Sequence, residues 1–375
     1  MSKFRKSGIC SLSPFSQGGY TRHTMNRARH FLLAGLLVVL GIPCLRAETL
    51  PAQLSDEQFW KISSEFSEPD GFFRSDNLLS NEAFFQHVLP DLTKTAKSGR
   101  VYLGVGPEQN YTFMTAIKPK IAFIIDIRRG NLDLQLMYKA LFELSRDRAE
   151  FVSRLFCRPR PAELTTESTA NAIFEAYRSV QRTDALYQEN LKSIQSHLTS
   201  QHGFALSEGD LSGIEYVYQM FCRFGPEINY NSSAGGFGGG ANRTTYAELM
   251  IATDQNGLQQ SYLANEDNFK FLKDLQTRNL VIPVVGNFAG TKAIRAVSQY
   301  LKDADATVSA FYLSNVEQYL YMDGIWTDFC RNASALPLDP SSMFILSVRG
   351  GRFGNSSGLN SDVVSMIDRL KPCAP

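Results

Sequence analysis

Two glycines, Gly104 and Gly106, close an apolar run over Arg100–Val105, and 22 residues after Gly104 a second run, Ile121–Ile127, carries a carboxylate at Asp126. Glycines at the end of a strand let backbone approach a ligand closely, because no Cβ stands in the way. A carboxylate at the end of the next strand is placed to accept hydrogen bonds from ribose hydroxyls. The pair therefore suggests a nucleoside-bearing ligand. A dinucleotide fingerprint needs a third small residue at position 109, where Gln109 stands. Glu108 falls in the first turn of the following helix, where a pyrophosphate would dock; its carboxylate repels phosphate and attracts an ammonium or sulfonium group. These residues favour S-adenosylmethionine over NAD as cofactor. No GK[ST] follows the glycines, which excludes a P-loop.

Other constellations carry less chemistry. "GNSSG" at 354–358 matches the G-x-S-x-G nucleophile pattern, but that hydrolase order needs a later histidine, and His87, His197 and His202 all lie upstream. His197 and His202 stand five apart at a helix end with no carboxylate or cysteine at ligand spacing, so no metal site is expected. Arg158 and Arg160 in "FCRPRPAE" read as a solvated turn with some capacity for an anion. Asn110, Asn231, Asn242 and Asn332 lie in N-x-[ST] sequons, and the position of Asn110 inside the proposed cofactor loop marks the motif as accidental here.

The elements that must hold these residues come from a chain of 375 residues with 43% hydrophobic and 20% charged residues, enough for a full core. The first 47 residues carry seven Lys or Arg, no acid, and the apolar run Phe31–Leu40. Met25 as a start, Arg27 and Arg29, the apolar run and Leu45-Arg46-Ala47 read as a signal peptide cleaved after Ala47. The protein is then periplasmic or secreted. The alternative is a membrane anchor formed by the uncleaved segment, the one way in which a membrane enters. A lipid-modified Cys44 fits less well. Without that segment 31 basic residues face 37 acidic ones, and no basic cluster points to nucleic acid. Cys157, Cys222, Cys330 and Cys373 remain, enough for one or two disulfides of unassigned pairing, or four small buried hydrophobes.

Helical spacing covers Leu54–Ser67 and Asn81–Ala96, the latter with Ser80 as N-cap, and a helix at Pro107–Ile117. A mainly helical insertion or cap runs over 131–264, with a Gly-rich loop at 229–246 and a hairpin of Thr245–Ala252 with Leu258–Ala264. Strands follow at Leu280–Val285, Ala306–Leu313 and Ser342–Val348, with helices at Asn268–Arg278, Lys292–Lys302, Gln318–Asn332 and Ser361–Leu370. Five apolar strands alternating with helices predict an α/β fold, a doubly wound, mostly parallel sheet with its halves at 48–130 and 265–375.

The order VYLGVG, IAFIIDI, LVIPVVGNF, TVSAFYLSNVEQYL, MFILSVRG resembles the strands of class I S-adenosylmethionine-dependent methyltransferases, a Rossmann-like fold, over residues 75–130 and 265–350. The whole chain is similar to a family of uncharacterised bacterial proteins with that fold. The resemblance implies that Gly104 and Gly106 face the methionine part of the cofactor, Asp126 its ribose and Asn287 its adenine. It places Ser314 and Asn315 by the transferred methyl group, and Asp76, Asn77, Asn81 and Glu82 in a segment that covers the cofactor. Among strand-end residues, Glu317 and Asp323 are candidate bases and Tyr312 and Tyr319 positioning groups.

Departures stand beside the likeness. Tyr102 replaces the acidic residue two before the first glycine, no Asn-Pro-Pro-aromatic follows the fourth strand, and no antiparallel strand pair is expected after Val348. Two functions follow: an exported methyltransferase-like enzyme with a small-molecule or protein acceptor, or a non-catalytic exported module that binds a nucleoside-like metabolite or a protein partner.

Overall fold

The computed structural model describes residues 49–233, 244–349 and 359–373; the expected signal segment, most of the Gly-rich loop and the "GNSSG" motif lie outside them. Helices α1 (Asp56–Phe66) and α2 (Leu89–Thr95) precede β1 (Val101–Gly104), and α3 (Gln109–Ile117) leads to β2 (Ile121–Asp126). Among the described residues seven α-helices follow before β3 (Val281–Val285): α4 (Arg129–Leu144), α5 (Arg148–Phe156), α6 (Ala170–Ser179), α7 (Asp184–Ser196), α8 (Glu208–Phe224), α9 (Tyr246–Ile251) and α10 (Glu266–Thr277). Then α11 (Ala293–Asp303) precedes β4 (Val308–Ser314), and α12 (Val316–Met322) and α13 (Trp326–Ser334) precede β5 (Met343–Arg349). Finally β6 (Leu359–Ser365) runs into α14 (Met366–Leu370).

The six strands form one sheet in the order β3-β2-β1-β4-β5-β6. The first five are parallel and β6 is antiparallel to β5. β1–β3 are buried along their whole length, the continuous apolar pattern of a sheet covered on both faces. The order reverses between β1 and β4, because β2 and β3 extend the sheet to one side of β1 and β4 and β5 to the other. Ligands of such sheets lie at that reversal, beyond the carboxyl ends of the strands. Pro283 stands on the edge strand β3, where the missing N–H costs least. The edge is covered by α1, whose Ser63 donates to the Pro283 carbonyl at 2.6 Å.

The expected insertion is part of the main body. Its first helix, α4, is buried continuously over Asn131–Phe142, wedged between the sheet and α8. Tyr111, Tyr138, Phe142, Phe151, Tyr262 and Phe269 interlock by edge and tilted contacts, tying the sheet helices to the inserted ones. Disulfides Cys157–Cys222 and Cys330–Cys373 use all four cysteines among the described residues, with Cα separations of 5.2 and 5.7 Å. No described helix is long and apolar enough to cross a membrane.

Four local expectations are corrected. Thr245–Ala252 is not a hairpin arm: Thr245 and Glu248 form a reciprocal capping box that starts α9, and only the bridge Thr253–Gln259 survives of the pairing. Ser361 opens no helix, because Leu359–Ser365 pairs with β5 and only α14 follows; the sheet therefore does end in an antiparallel strand. Gln318–Asn332 is two helices, α12 and α13, parted at Gly324 with φ +69°. Ser80 caps no helix; its hydroxyl accepts from Glu82 N, and a 3-10 turn at Phe85–Val88 precedes α2.

Candidate functional site

Gly106, Asp126 and Ser314 share the carboxyl edge of the sheet, at the ends of β1, β2 and β4. Gly106 has φ +76°, a left-handed turn that favours glycine. Gly104 is demanded by a different contact: a Cβ there would meet Asn110 Oδ1 at 1.9 Å. Asn110 in turn donates to the carbonyls of Val105 at 2.9 Å and Pro107 at 2.7 Å and accepts from the Tyr102 hydroxyl at 2.8 Å. The space that sequence reasoning left for a ligand beside Gly104 is thus filled by this side chain. Tyr102, which stands where the resemblance leads one to expect an acid, is its partner.

The second filling is a strap. Residues 68–82 carry no helix or strand and cross the strand ends one after another. Glu68 N donates to the Val285 carbonyl at 2.8 Å, at the end of β3. Its carboxylate accepts from the amides of Asn287 at 2.9 Å, Lys292 at 2.8 Å and Ala293 at 3.1 Å, capping α11 from outside the helix. Gly71 N donates to the Ile127 carbonyl at 2.8 Å, past the end of β2. Asp70 accepts from Arg129 N at 2.6 Å and so caps α4. Orphan amides at a helix start, together with the positive end of its dipole, make each of these an anion site, and the strap supplies both anions. Replacing Glu68 with alanine is expected to cost about 2 kcal/mol in urea unfolding, the upper range for a lost cap.

At β1 the strap lays Asn77 against Gly106: its Nδ2 lies 3.3 Å from where a Cβ on that glycine would be. Ser80 N donates to Glu108 Oε1 at 3.2 Å. Glu82, fully buried, reaches the end of β4, where it accepts from Tyr312 at 2.5 Å, Ser314 at 2.9 Å and, from β6, Ser361 at 2.7 Å. Gln109 Nε2 donates to the Tyr312 oxygen at 2.9 Å, so one buried chain runs from Ser361 through Glu82 and Tyr312 to Gln109. Burial raises the Glu82 pKa in spite of these donors, and burial next to Glu82 holds the Tyr312 phenol well above its usual value. Burial pushes Glu108 up to about 8, against the pull of the Ser80 amide. Glu108 Oε2 and Gln109 Oε1 are buried acceptors without a hydrogen-bond partner among the described residues.

The remaining expected residues fall as follows. Asp126 is bound by Arg128, through its amide at 2.9 Å and its guanidinium at 3.3 Å, and Arg128 also donates to the Asp76 carbonyl. The Asp76 carboxylate accepts from Tyr216 at 2.7 Å, which ties the strap to α8. Asn287 makes a turn, its Oδ1 accepting from Ala289 N at 2.9 Å. Asn315 stands just before α12. Glu317 is paired with Arg369 of α14 at 2.9 Å, outside the Glu82 group, and Tyr319 meets Phe73 and Arg74 of the strap. Of Glu317, Asn315 and Tyr312, therefore, only Tyr312 joins the buried network. Glu68 and Asp70 were missed because their carboxylates act on helices 59 residues and more away in sequence; the only local signal is a pair of acids flanking Pro69.

A search of the curated proteins found no match. The model of the family described as Domain of unknown function (DUF7790) matches residues 78–208 and 241–368, more than half of the chain. The match begins inside the strap, runs through all six strands and breaks over 209–240, nearly all of α8 and the first part of the Gly-rich loop, so the chain belongs to the DUF7790 family.

Proposed function

We propose that this protein is an exported, non-catalytic binding module built on a methyltransferase-type frame, and that its ligand is a small positively charged metabolite. The observation that carries this reading is the strap: its own groups take the positions at the ends of β3, β2, β1 and β4 that a nucleoside cofactor would need. S-adenosylmethionine fits these residues at one end only. The unpartnered oxygens of Glu108 and Gln109 suit its sulfonium or ammonium group, whose charge would displace the proton that burial holds on Glu108, while Asp126 is held by Arg128 and the amides after β3 by Glu68. No methyl-transfer step follows from such an arrangement. Two disulfides among the four cysteines support export to an oxidising compartment.

A second reading, an S-adenosylmethionine-dependent methyltransferase whose strap is a lid, is favoured by the strand order and by Gly106 and Asp126 on one edge. Calorimetry separates the two. Small ammonium compounds such as choline and putrescine are expected to give heat, and S-adenosylmethionine and S-adenosylhomocysteine none at about 1 mM, the limit near −4 kcal/mol. Tight binding of both nucleosides would establish the lid instead. Silence from every compound would remove the cation site altogether.

A further inference from the structure

At the last turn of α4 three side chains converge. Glu143 Oε2 lies 2.5 Å from His197 Nε2 and 2.6 Å from His202 Nε2. One oxygen and two ring nitrogens thus meet within 4.8 Å of one another. The histidines come from the end of α7, where the chain loosens into a π turn over His197–Gln201, a rare distortion that is frequent at functional sites. Their side chains are 12% exposed and that of Glu143 7%, so the meeting point is sheltered yet open to solvent on one side.

The outer ring nitrogens fix the inner ones. His202 Nδ1 lies 2.6 Å from Asp56 Oδ1, and a carboxylate can only accept, so Nδ1 carries the hydrogen. His197 Nδ1 lies 2.5 Å from Gln201 Oε1 and is fixed in the same way. In the neutral rings both Nε2 lone pairs then point at a carboxylate oxygen. Three acceptors aimed at one place repel unless a proton or a metal ion lies between them. Histidines held through Nδ1–H by a carboxylate and an amide, with Nε2 free, match the outer support of protein metal sites. Lys139 occupies the other oxygen of Glu143 at 2.7 Å, which leaves Oε2 as a one-oxygen ligand. Glu143 and Asp56 against Lys139 leave one net negative charge for an incoming cation.

We propose that Glu143, His197 and His202 form a site for a divalent transition metal of the zinc class, with solvent in the fourth position. Two imidazoles and one carboxylate are the donor set of three-ligand zinc sites, whereas calcium and magnesium demand oxygen ligands in larger number. Binding replaces the proton between the ligands, and their atoms part to about 3.3 Å, the edge of a tetrahedron with bonds of about 2.0 Å. The ion would pin the start of α1 and the α7 turn to α4, through Asp56 on His202.

Sequence reasoning excluded a metal here because no carboxylate stands at ligand spacing from the histidines. Glu143 lies 54 residues before His197 and is supplied by the fold.

The test uses the full chain without a polyhistidine tag, stripped with a chelator and titrated with zinc against a chromophoric competitor, then with cobalt(II). One equivalent of zinc should bind at micromolar concentration or tighter, with a tetrahedral cobalt absorption band. His197→Gln and His202→Gln should each weaken uptake at least a hundredfold, and Asp56→Asn about tenfold. Absence of stoichiometric uptake by the wild-type chain overturns the proposal, and so does uptake that survives both histidine substitutions. Because the wild-type titration decides by itself, a variant that fails to fold leaves the test intact.

Discussion

Glu82→Ala is expected to lose roughly 4 kcal/mol of stability in urea unfolding, with the strap and β6 becoming susceptible to protease at lower denaturant than the rest. One carboxylate at the crossing of three elements receives hydroxyls from Tyr312 and Ser314 of β4 and Ser361 of β6. Truncation leaves all three hydroxyls without the acceptor they donate to, Tyr312 keeping only Gln109, and opens a cavity the size of a glutamate side chain. Each orphaned group costs about 1–3 kcal/mol, less whatever the hydroxyls recover by turning toward one another. Glu82→Gln keeps the shape and one acceptor and should cost about 1 kcal/mol. If alanine costs no more than glutamine, the hydroxyls find other partners and the strap is held elsewhere, at Glu68 and Asp70.

The second large effect depends on pH. In the folded chain Glu108 keeps its proton up to about 8, while the unfolded chain releases it near the ordinary carboxylate value of 4.5. Between these values the native state holds more protons than the unfolded one, so its stability is complete at the acid end and falls as pH rises. Glu108→Gln has nothing to titrate. Relative to wild type it should gain on the order of 3 kcal/mol between about pH 5 and pH 8.5, the direction set by burial of the charged form. Asp133, also pushed up to about 8, by burial and then by Asp210, adds the same slope to both proteins and cancels in the comparison. Parallel stability curves would mean that the Glu108 carboxylate is ionised in place, with a donor already at Oε2.

What could be read from the sequence was the frame. Runs such as IAFIID and VIPVV are apolar on both faces, and only a strand buried in a covered sheet uses such a pattern, so β1–β5 fell within two residues of expectation. β6 was hidden because "LNSDVVS" lacks that continuity; at the sheet end it needs only β5 beside it. At the candidate site Gly106 and Asp126 were found on the expected edge, since turn chemistry and strand ends are local. Their surroundings were not legible. Asn110 beside Gly104, Arg128 on Asp126 and Glu68 on Asn287 are side-chain contacts decided by tertiary packing. The histidine and glutamate cluster failed to show for the same reason: ligand spacing in sequence is a shortcut that only contiguous motifs obey.

The strap also sets an order of events for a chain that emerges from a ribosome or a translocation pore amino end first. Its most distant anchors are Val285, Ala293, Tyr312 and Ser361, the last 279 residues downstream of Glu82. Contacts so distant in sequence close late, after the entropy of the intervening loop has been overcome. Asp70 can cap α4 once Arg129 has emerged, but Glu68 waits for Asn287, and Glu82 for Tyr312 and Ser361, when nearly the whole polypeptide has arrived. A segment that leaves the tunnel early is thus among the last to settle in full, and a nascent chain halted before residue 361 would leave the Glu82 end of the strap incompletely held, a vulnerable surface for a chaperone to shield.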